Sequence, residues 1–156
     1  MERSTKETMY FDVADSMLKR STCLRRRYGA VIVKNDEVVS TGYNGAPRGR
    51  PNCTDYNFCL REKLHVPQGE RYELCVSVHG ECNAIISASR KDMIGATLYL
   101  AGRDAKTGEI LQHTEPCSMC KRMIINAGIK EVLCRNGSEI VKYNVQKDWV
   151  SSKSSL

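Results

Sequence analysis

The sequence has little aromatic content and no long hydrophobic run. Aromatic residues make up 6% of its 156 residues and are not interleaved with the basic residues, so a surface that stacks nucleic-acid bases is not expected. No apolar run approaches the length that crosses a bilayer. The first six residues are polar and charged, without the apolar core of a secretory signal. We therefore expect a cytoplasmic protein with neither a membrane nor a nucleic-acid polymer as its partner.

Cysteine, in contrast, is plentiful, with eight residues in the chain. In a chain without an export signal, so many thiols indicate metal ligands or reduced side chains rather than disulfides. The length is enough for one domain with a core that needs no disulfide. We expect that domain to span residues 1–150 and the tail, residues 151–156, to fray.

Two separated motifs have the composition of a catalytic zinc site. They are His79–Glu81 and Pro116–Cys120, which together read His-x-Glu and Pro-Cys-x-x-Cys, a signature of zinc nucleobase deaminases. A catalytic zinc takes three protein ligands and keeps one position open, and the candidate ligands are His79, Cys117 and Cys120. Glu81 is not a ligand but can carry a proton between water and the ring under attack.

A lone Cys-x-x-Cys pair is often a structural zinc corner or a redox pair, and a lone histidine is usually a surface or packing residue. Here the proline before the first cysteine and the glutamate at the right offset occur together, and helical sequence follows both motifs. This combination favours the catalytic interpretation.

The order of predicted elements is α-β-β-α-β-α-β-β. A capping box at Ser4 and Glu7 begins a first helix that ends near Arg20. The turn Asn35-Asp36 joins two strands into a hairpin, and an irregular segment follows as far as about Gln68. The remaining predictions are a helix over 80–89, a strand over 96–101, a possible small hairpin within 103–115, a helix over 117–127, and strands over 131–135 and 141–145.

This order predicts an α/β fold, a three-layer α/β/α sandwich with a central mixed five-stranded sheet. The two zinc motifs lie at the starts of the second and third predicted helices. A helix N-terminus favours thiolate over thiol, because its amides and its dipole stabilise negative charge. Cys117 and Cys120, one turn apart, would therefore direct both sulfur atoms at one metal ion.

From about Cys23 to Trp149 the chain resembles the deoxycytidylate (dCMP) deaminases of the cytidine deaminase-like superfamily. The resemblance is carried by the segments 29–33, 40–49, 79–85, 116–120 and 123–129. It implies a cytidine deaminase-like fold, zinc held by His79, Cys117 and Cys120, and Glu81 as the proton shuttle. It also implies that Asn44 contacts the bound nucleotide.

The implied reaction is hydrolysis at ring carbon 4, which converts dCMP to dUMP and ammonia and so supplies thymidylate synthesis. Members of the family are commonly homo-oligomers, often hexamers, activated by dCTP and inhibited by dTTP. The loop that the family uses for this regulation corresponds here to residues 42–49, and the candidate allosteric residues are Gly42, Tyr43, Asn44 and Gly45.

Two departures from the family pattern stand out. Gly80 replaces the usual alanine between His and Glu, which costs helix stability but removes no reactive group. Residues 103–115 form a longer excursion than the family's usual link, and they border the predicted site.

The densest basic cluster is Arg25–Arg27. Basic clusters attract phosphate, so Arg25 and Arg26 are candidate contacts for a substrate phosphate. The alternative for either arginine is a solvated surface position.

Four further cysteines lie in or beside the irregular segment, namely Cys23, Cys53, Cys59 and Cys75. Four thiolates suffice for a closed tetrahedral zinc, so a second, structural zinc is predicted. The alternative is four unrelated thiols. The remaining two cysteines, Cys82 and Cys134, are expected to be packing residues.

Other functions stay open at this stage. A related deaminase could act on another cytosine nucleotide or nucleoside, or on adenosine in tRNA. A non-catalytic zinc-stabilised binding module is a further alternative, although such a module would have no use for Glu81 as a proton shuttle.

Overall fold

A mixed sheet of five strands forms the centre of the protein in the computed structural model, which describes residues 1–156. The strands are β1 (Arg26–Lys34), β2 (Glu37–Tyr43), β3 (Thr97–Asp104), β4 (Glu131–Asn136) and β5 (Glu139–Asn144). They lie in the order β2-β1-β3-β4-β5. β3 and β4 are parallel, and the other neighbouring pairs are antiparallel. The predicted mixed five-stranded sheet is thus confirmed.

Six helices surround the sheet. They are α1 (Lys6–Leu18), α2 (Cys53–Tyr56), α3 (Leu60–Lys63), α4 (Gly80–Ile86), α5 (Arg90–Met93) and α6 (Ser118–Ala127). A 3₁₀ turn (Tyr72–Leu74) precedes α4, and a π-helical segment (Val145–Val150) follows β5. None of the helices has the length and apolar character to cross a membrane.

The two faces of the sheet are covered by different helices. Val31 and Val33 of β1 pack with Phe11 and the rest of the buried side of α1. Ala30 and Ile32, which alternate with them, point to the opposite core, where α4 and α6 pack. The three-layer α/β/α sandwich is therefore confirmed, with α4 and α6 on the same face.

Two glycines allow helices to approach the sheet closely. A Cβ atom at Gly29 would overlap the carbonyl oxygen of Ala14 in α1. A Cβ atom at Gly42 would overlap the carbonyl oxygen of Gly80 at the start of α4. Gly42, a candidate regulatory residue, thus lets β2 lie directly against the helix that carries the first zinc motif.

The hairpin between β1 and β2 forms as the sequence predicts. Asn35 and Asp36 both have positive φ values, 51° and 62°. Two consecutive residues in this conformation are typical of a type I′ turn, whose twist matches that of the flanking strands.

Several predicted boundaries were wrong. The cap of α1 is Thr5 rather than Ser4, because the Thr5 hydroxyl accepts the hydrogen bond from the backbone N–H of Thr8 at 3.1 Å. The last strand ends at Asn144, since Val145 turns inward to begin the π-helical segment and is buried with Trp149. The helix predicted over 80–89 ends at Ile86, and Ser89 caps the separate helix α5.

The excursion over residues 103–115 folds back on β3. Leu111 N–H donates to the carbonyl of Gly102 at 3.1 Å, and Asp104 N–H donates to that of Glu109 at 2.9 Å. The tail was predicted to fray, but Leu156 at its end packs against the core, and the Ser118 hydroxyl donates to the Leu156 carbonyl at 2.8 Å.

Candidate active site

The three predicted zinc ligands lie at the N-termini of two neighbouring helices. His79 is the N-cap residue of α4, Cys117 is the N-cap residue of α6, and Cys120 lies in the first turn of α6. Because α4 and α6 pack side by side, residues almost 40 positions apart in the chain meet. The structure brings all three together as the sequence predicts.

The distances between the ligand atoms fit a zinc ion. His79 Nδ1 lies 3.5 Å from Cys117 Sγ and 3.4 Å from Cys120 Sγ. All three ligand atoms lie within 4.8 Å of one another. Bonds of about 2.0 Å to nitrogen and about 2.3 Å to sulfur, at tetrahedral angles, would place N and S about 3.5 Å apart.

The electrostatics of the three side chains also favour a cation between them. Contact with Cys120, and then the hydrogen bond with His79, lower the pKa of Cys117 to about 4. Burial acts to lower the pKa of His79, but Cys117 and Cys75 outweigh burial and raise it to about 11. A divalent metal supplies the positive charge that these thiols attract and leaves the histidine neutral.

Glu81 lies in the first turn of α4 and faces the same pocket. Its side chain is buried, with the residue only 4% exposed. Burial raises the pKa of its carboxyl group, because the charged form loses hydration. A carboxyl group poised in this way can both accept and donate a proton.

Asn44 lines the pocket but is also a structural clamp. Its Oδ1 accepts hydrogen bonds from the Ser21 hydroxyl at 2.6 Å and from Tyr28 N–H at 2.9 Å. Its Nδ2 donates to the carbonyl of Arg26 at 2.9 Å. One N–H of the amide group is left to donate to a ligand in the pocket.

The two candidate phosphate contacts both line this pocket but have different partners. Arg25 Nε forms an ion pair with Glu62 Oε1 at 2.9 Å. Arg26 Nη2 donates to the neutral side chain of Gln68 at 3.0 Å. The charge of Arg25 is therefore compensated within the protein, whereas that of Arg26 is not.

Sequence reasoning missed several residues of the pocket wall. They are Tyr28, Arg61, Gln68, Tyr72, Ser77 and Glu115. Four of them lie between β2 and α4, where no periodicity marks which side chains turn inward. Glu115 had a usable signal, because it directly precedes the Pro-Cys motif.

The four remaining candidate ligands lie near one another and near the first site. Cys23, Cys59 and Cys75 line the same pocket as His79. Burial, followed by the proximity of Cys23 and Cys75, raises the pKa of Cys53. The only group of ligand atoms close enough to share a metal ion in the structure as it stands is His79, Cys117 and Cys120.

The two cysteines expected to pack are buried. Cys134 lies in the core beneath α6. Cys82 contacts a ligand directly, with its Sγ atom 3.6 Å from that of Cys120.

The candidate regulatory residues lie beside a different cleft. Gly42, Tyr43 and Gly45 line a surface groove with Pro47 and Arg48, and none of the metal ligands lines it. Asn44 alone among the four faces the metal pocket.

The chain matches known proteins over most of its length. A family profile described as the cytidine and deoxycytidylate deaminase zinc-binding region matches residues 4–136. A deoxycytidylate deaminase of Mycobacterium phage D29 is 36% identical over 138 residues, which covers 85% of this chain and 96% of that protein. A deoxycytidylate deaminase of Schizosaccharomyces pombe is 35% identical over 133 residues, covering 84% of this chain and 37% of the longer yeast protein.

The fold is also similar to a solved structure. The dCMP deaminase from cyanophage S-TIM5, in complex with dCMP and dUMP, superposes with a TM-score of 0.58 at 26% identity. The match covers 87% of this chain and 85% of the phage chain. Together with the His79, Cys117, Cys120 and Glu81 constellation, these matches show that the chain belongs to the cytidine and deoxycytidylate deaminase family of enzymes.

Proposed function

We propose that the protein is a zinc-dependent enzyme that hydrolyses dCMP to dUMP and ammonia. The observation that carries the proposal is the placement of the buried Glu81 in one pocket with three side chains spaced as zinc ligands. The substrate is supported by the relatives, which are named deoxycytidylate deaminases, and by the S-TIM5 structure, which contains dCMP and dUMP.

His79, Cys117 and Cys120 would hold the zinc ion. When bound, zinc supplies a Lewis acid that makes water nucleophilic at neutral pH. The protein's own contribution is Glu81, which accepts a proton from the attacking water and delivers it to the ring nitrogen next to carbon 4. A second proton passes through the same carboxylate to the departing amino group. A C–O bond forms, the C–N bond breaks, and ammonia leaves.

The surroundings of Glu81 suit this double role. A general acid–base works best when its pKa lies near the working pH. Burial raises the pKa of Glu81 above its usual value, while the neighbouring His79 opposes a larger rise. Asn44 is held rigidly by three hydrogen bonds and has an N–H left to orient the nucleotide.

A second, structural zinc bound by Cys23, Cys53, Cys59 and Cys75 is part of the proposal. It is supported by the mutual proximity of these thiols around a segment with only short helices. Four thiolates would form a closed tetrahedral site.

The biological setting is proposed from the family. The dUMP product would supply thymidylate synthesis in the cytoplasm, where reducing conditions keep thiolate ligands available. We propose a homo-oligomer, with a hexamer as the leading form. The groove beside Gly42, Tyr43 and Gly45 is the proposed site for dCTP activation and dTTP inhibition.

A parallel substrate assay tests the proposal. Absorbance loss and ammonia release are followed with dCMP, dCTP, deoxycytidine and cytidine, each with and without added dCTP. We expect dCMP to be turned over fastest, and stimulation by dCTP would support the regulatory groove. Turnover of the nucleosides alone would move the assignment to a nucleoside deaminase.

A further inference from the structure

Arg61 is a nearly buried cation in the wall of the candidate active site. Only 5% of the residue is exposed, and its side chain lines the pocket with His79 and Glu81. It comes from α3, in the irregular segment, and no carboxylate forms an ion pair with it. The residue has no part in the proposed chemistry described so far.

The hydrogen bonds and the ring contact of this guanidinium all involve neutral groups. Nε donates to the carbonyl of Glu70 at 3.1 Å, and Nη2 donates to the carbonyls of Glu70 at 2.7 Å and Pro67 at 2.9 Å. The ring of Tyr72 lies beneath it, with its centroid 4.4 Å from Cζ. Carbonyls and an aromatic face offset part of the cost of burying a charge, but they do not neutralise it.

The third nitrogen of Arg61 is left without a protein partner. Nε and Nη2 make all the hydrogen bonds of the guanidinium, so Nη1 is available to the pocket. A guanidinium group with one nitrogen free to donate and no ion-pair partner suits an oxyanion such as a phosphate group.

The neighbouring arginines differ from Arg61 in their partners. Glu62, the next residue of α3, pairs with Arg25 and cancels its charge. Arg26 has only the neutral Gln68 as its partner. Of the three arginines that line the pocket, Arg26 and Arg61 are therefore the two without an ion-pair partner.

Arg61 lies at a distance from the metal ligands that suits a nucleotide bound between them. Tyr72 stands between them, with its ring edge-on to that of His79 at a centroid separation of 4.8 Å. The guanidinium is thus one aromatic ring away from a ligand of the metal. In a nucleotide the sugar similarly separates the phosphate from the base.

We propose that Arg61, together with Arg26, binds the 5′-phosphate of the substrate and makes the enzyme prefer a nucleoside monophosphate to a nucleoside. This inference rests on the proposed function, which it deepens by naming the residues that read the phosphate. It also removes Arg25 from that role, because Glu62 already occupies its guanidinium.

The alternative role for Arg61 is electrostatic support of the cysteine cluster. Arg61 is among the groups that lower the pKa of Cys75, after burial, His79 and the Ser77 backbone. In that role its loss would weaken metal binding and would affect nucleotides and nucleosides equally. The phosphate role instead predicts a loss confined to phosphorylated ligands.

The test compares dUMP with deoxyuridine in binding and dCMP with deoxycytidine in turnover. The variants are Arg61→Gln, Arg61→Lys and the matched control Arg25→Gln, each checked for zinc content and thermal stability. Calorimetry gives the affinity ratio of dUMP to deoxyuridine, and kinetics gives the ratio of kcat/KM for dCMP to that for deoxycytidine. We expect Arg61→Gln to lower both ratios by about 10-fold or more, as for loss of a charge-assisted hydrogen bond.

The control variant and the second Arg61 variant show whether the effect is specific to the guanidinium group of Arg61. Arg25→Gln should change both ratios by less than about 3-fold, and Arg61→Lys, which keeps the charge, should retain part of the preference. If Arg61→Gln does not fold, Arg61→Lys provides the test. Lysine lacks the forked guanidinium group, so the affinity ratio of dUMP to deoxyuridine should still fall while deoxyuridine binding stays unchanged.

An equal loss for nucleotide and nucleoside, or loss of zinc in the Arg61 variants, would overturn the inference. Wild-type protein that prefers dUMP through Arg61 but does not deaminate dCMP would instead contradict the proposed function and leave the phosphate site standing.

Discussion

At the scale of single residues, the proposed deamination depends most on Glu81. It is buried beside three side chains that fit a zinc ion, yet it is not itself one of the ligands. A purely structural zinc site would gain nothing from a buried carboxyl group at this position, since burial of an acid is costly. Its position there supports the proton-transfer role that we propose for it.

Replacing Glu81 with glutamine should abolish most of the activity without removing the metal. The amide has nearly the same shape but cannot carry a proton, so kcat should fall by about 10² to 10⁴-fold. Zinc content, measured by elemental analysis, should be unchanged. The control is Glu73→Gln at an exposed residue, which should leave kcat within about 2-fold of the wild type. Activity of Glu81→Gln close to that of the wild type would refute the role given to Glu81.

The motif residues could be predicted from sequence, but not all of the residues proposed to bind phosphate could be predicted in this way. The spacing of His79, Glu81, Cys117 and Cys120 is dictated by two helix N-termini, and this local geometry is visible in sequence. Arg61 is positioned by the carbonyls of Pro67 and Glu70, which are contacts within an irregular segment. Such contacts leave no periodic pattern, and the visible arginine cluster drew attention to Arg25 instead.

At the scale of elements, the packing of β2 against α4 predicts that two glycines will respond differently to substitution. A Cβ atom at Gly80 would lie 3.4 Å from its nearest neighbour, the carbonyl oxygen of Tyr28, which is an ordinary contact. A Cβ atom at Gly42 would overlap the backbone of α4.

Gly80→Ala should therefore be neutral or stabilising, and Gly42→Ala should be destabilising. Alanine at Gly80 restricts the unfolded chain and favours the helix, raising the free energy of unfolding by up to about 1 kcal/mol. Alanine at Gly42 should lower it by about 1–3 kcal/mol, as overpacking does. Urea denaturation of both variants measures the difference. Equal effects at the two positions would contradict the close approach of β2 and α4.

The cap of α1 offers a second test at this scale. Thr5→Ala should lower the free energy of unfolding by about 1 kcal/mol, since it removes the acceptor for Thr8 N–H. Ser4→Ala, the matched control, should have an effect within about 0.5 kcal/mol of zero. Thermal or urea denaturation measures both, and the reverse order would place the cap at Ser4.

Element boundaries were the weakest part of the sequence-based prediction, and the reasons are physical. Ser4 and Thr5 can both cap a helix, and only the observed hydrogen bond distinguishes them. Val145 continues the alternation of β5, but it turns into the core with Trp149 because burial outweighs local strand preference. The five strands and the three main helices were predicted because their apolar patterns are long.

At the scale of the whole molecule, Asp15 joins α1 to the sheet. Its carboxylate accepts hydrogen bonds from Arg103 of β3 at 2.7 Å and from Arg135 of β4 at 2.6 Å. Burial alone would raise the pKa of Asp15, but the two guanidinium groups outweigh burial and lower it. One acid thus ties the helix to two central strands.

Asp15→Asn should destabilise the protein in a pH-dependent way. Because the folded state lowers the pKa of Asp15, its contribution is present above the unfolded pKa of about 4 and is lost as pH falls through the folded value. We expect a loss of about 1.5–3 kcal/mol at pH 7, and a smaller difference from the wild type below about pH 4.

Urea unfolding across this pH range measures the effect of Asp15→Asn. Asp12→Asn, at an exposed position of the same helix, is the control and should stay within about 0.5 kcal/mol of the wild type throughout. A difference for Asp15→Asn that did not shrink at low pH would argue against the ion pairs as its cause.

The number of zinc ions per chain distinguishes the two metal proposals. Elemental analysis of purified protein should give close to two zinc ions per chain if the second cysteine cluster is occupied. Substituting Cys53 and Cys59 by serine should then remove one ion, leaving the ion at His79, Cys117 and Cys120 in place. One ion per chain in the wild type would contradict the structural zinc but not the catalytic one.

The most direct test of the central claim follows product formation through a cycle of metal removal and return. Zinc is chelated from the protein and then restored, and dUMP and ammonia formed from dCMP are quantified at each stage. We expect equal amounts of both products with zinc-loaded protein, near-complete loss after chelation and recovery on adding zinc. Folded protein that holds zinc at this site and still forms no dUMP from dCMP would contradict it.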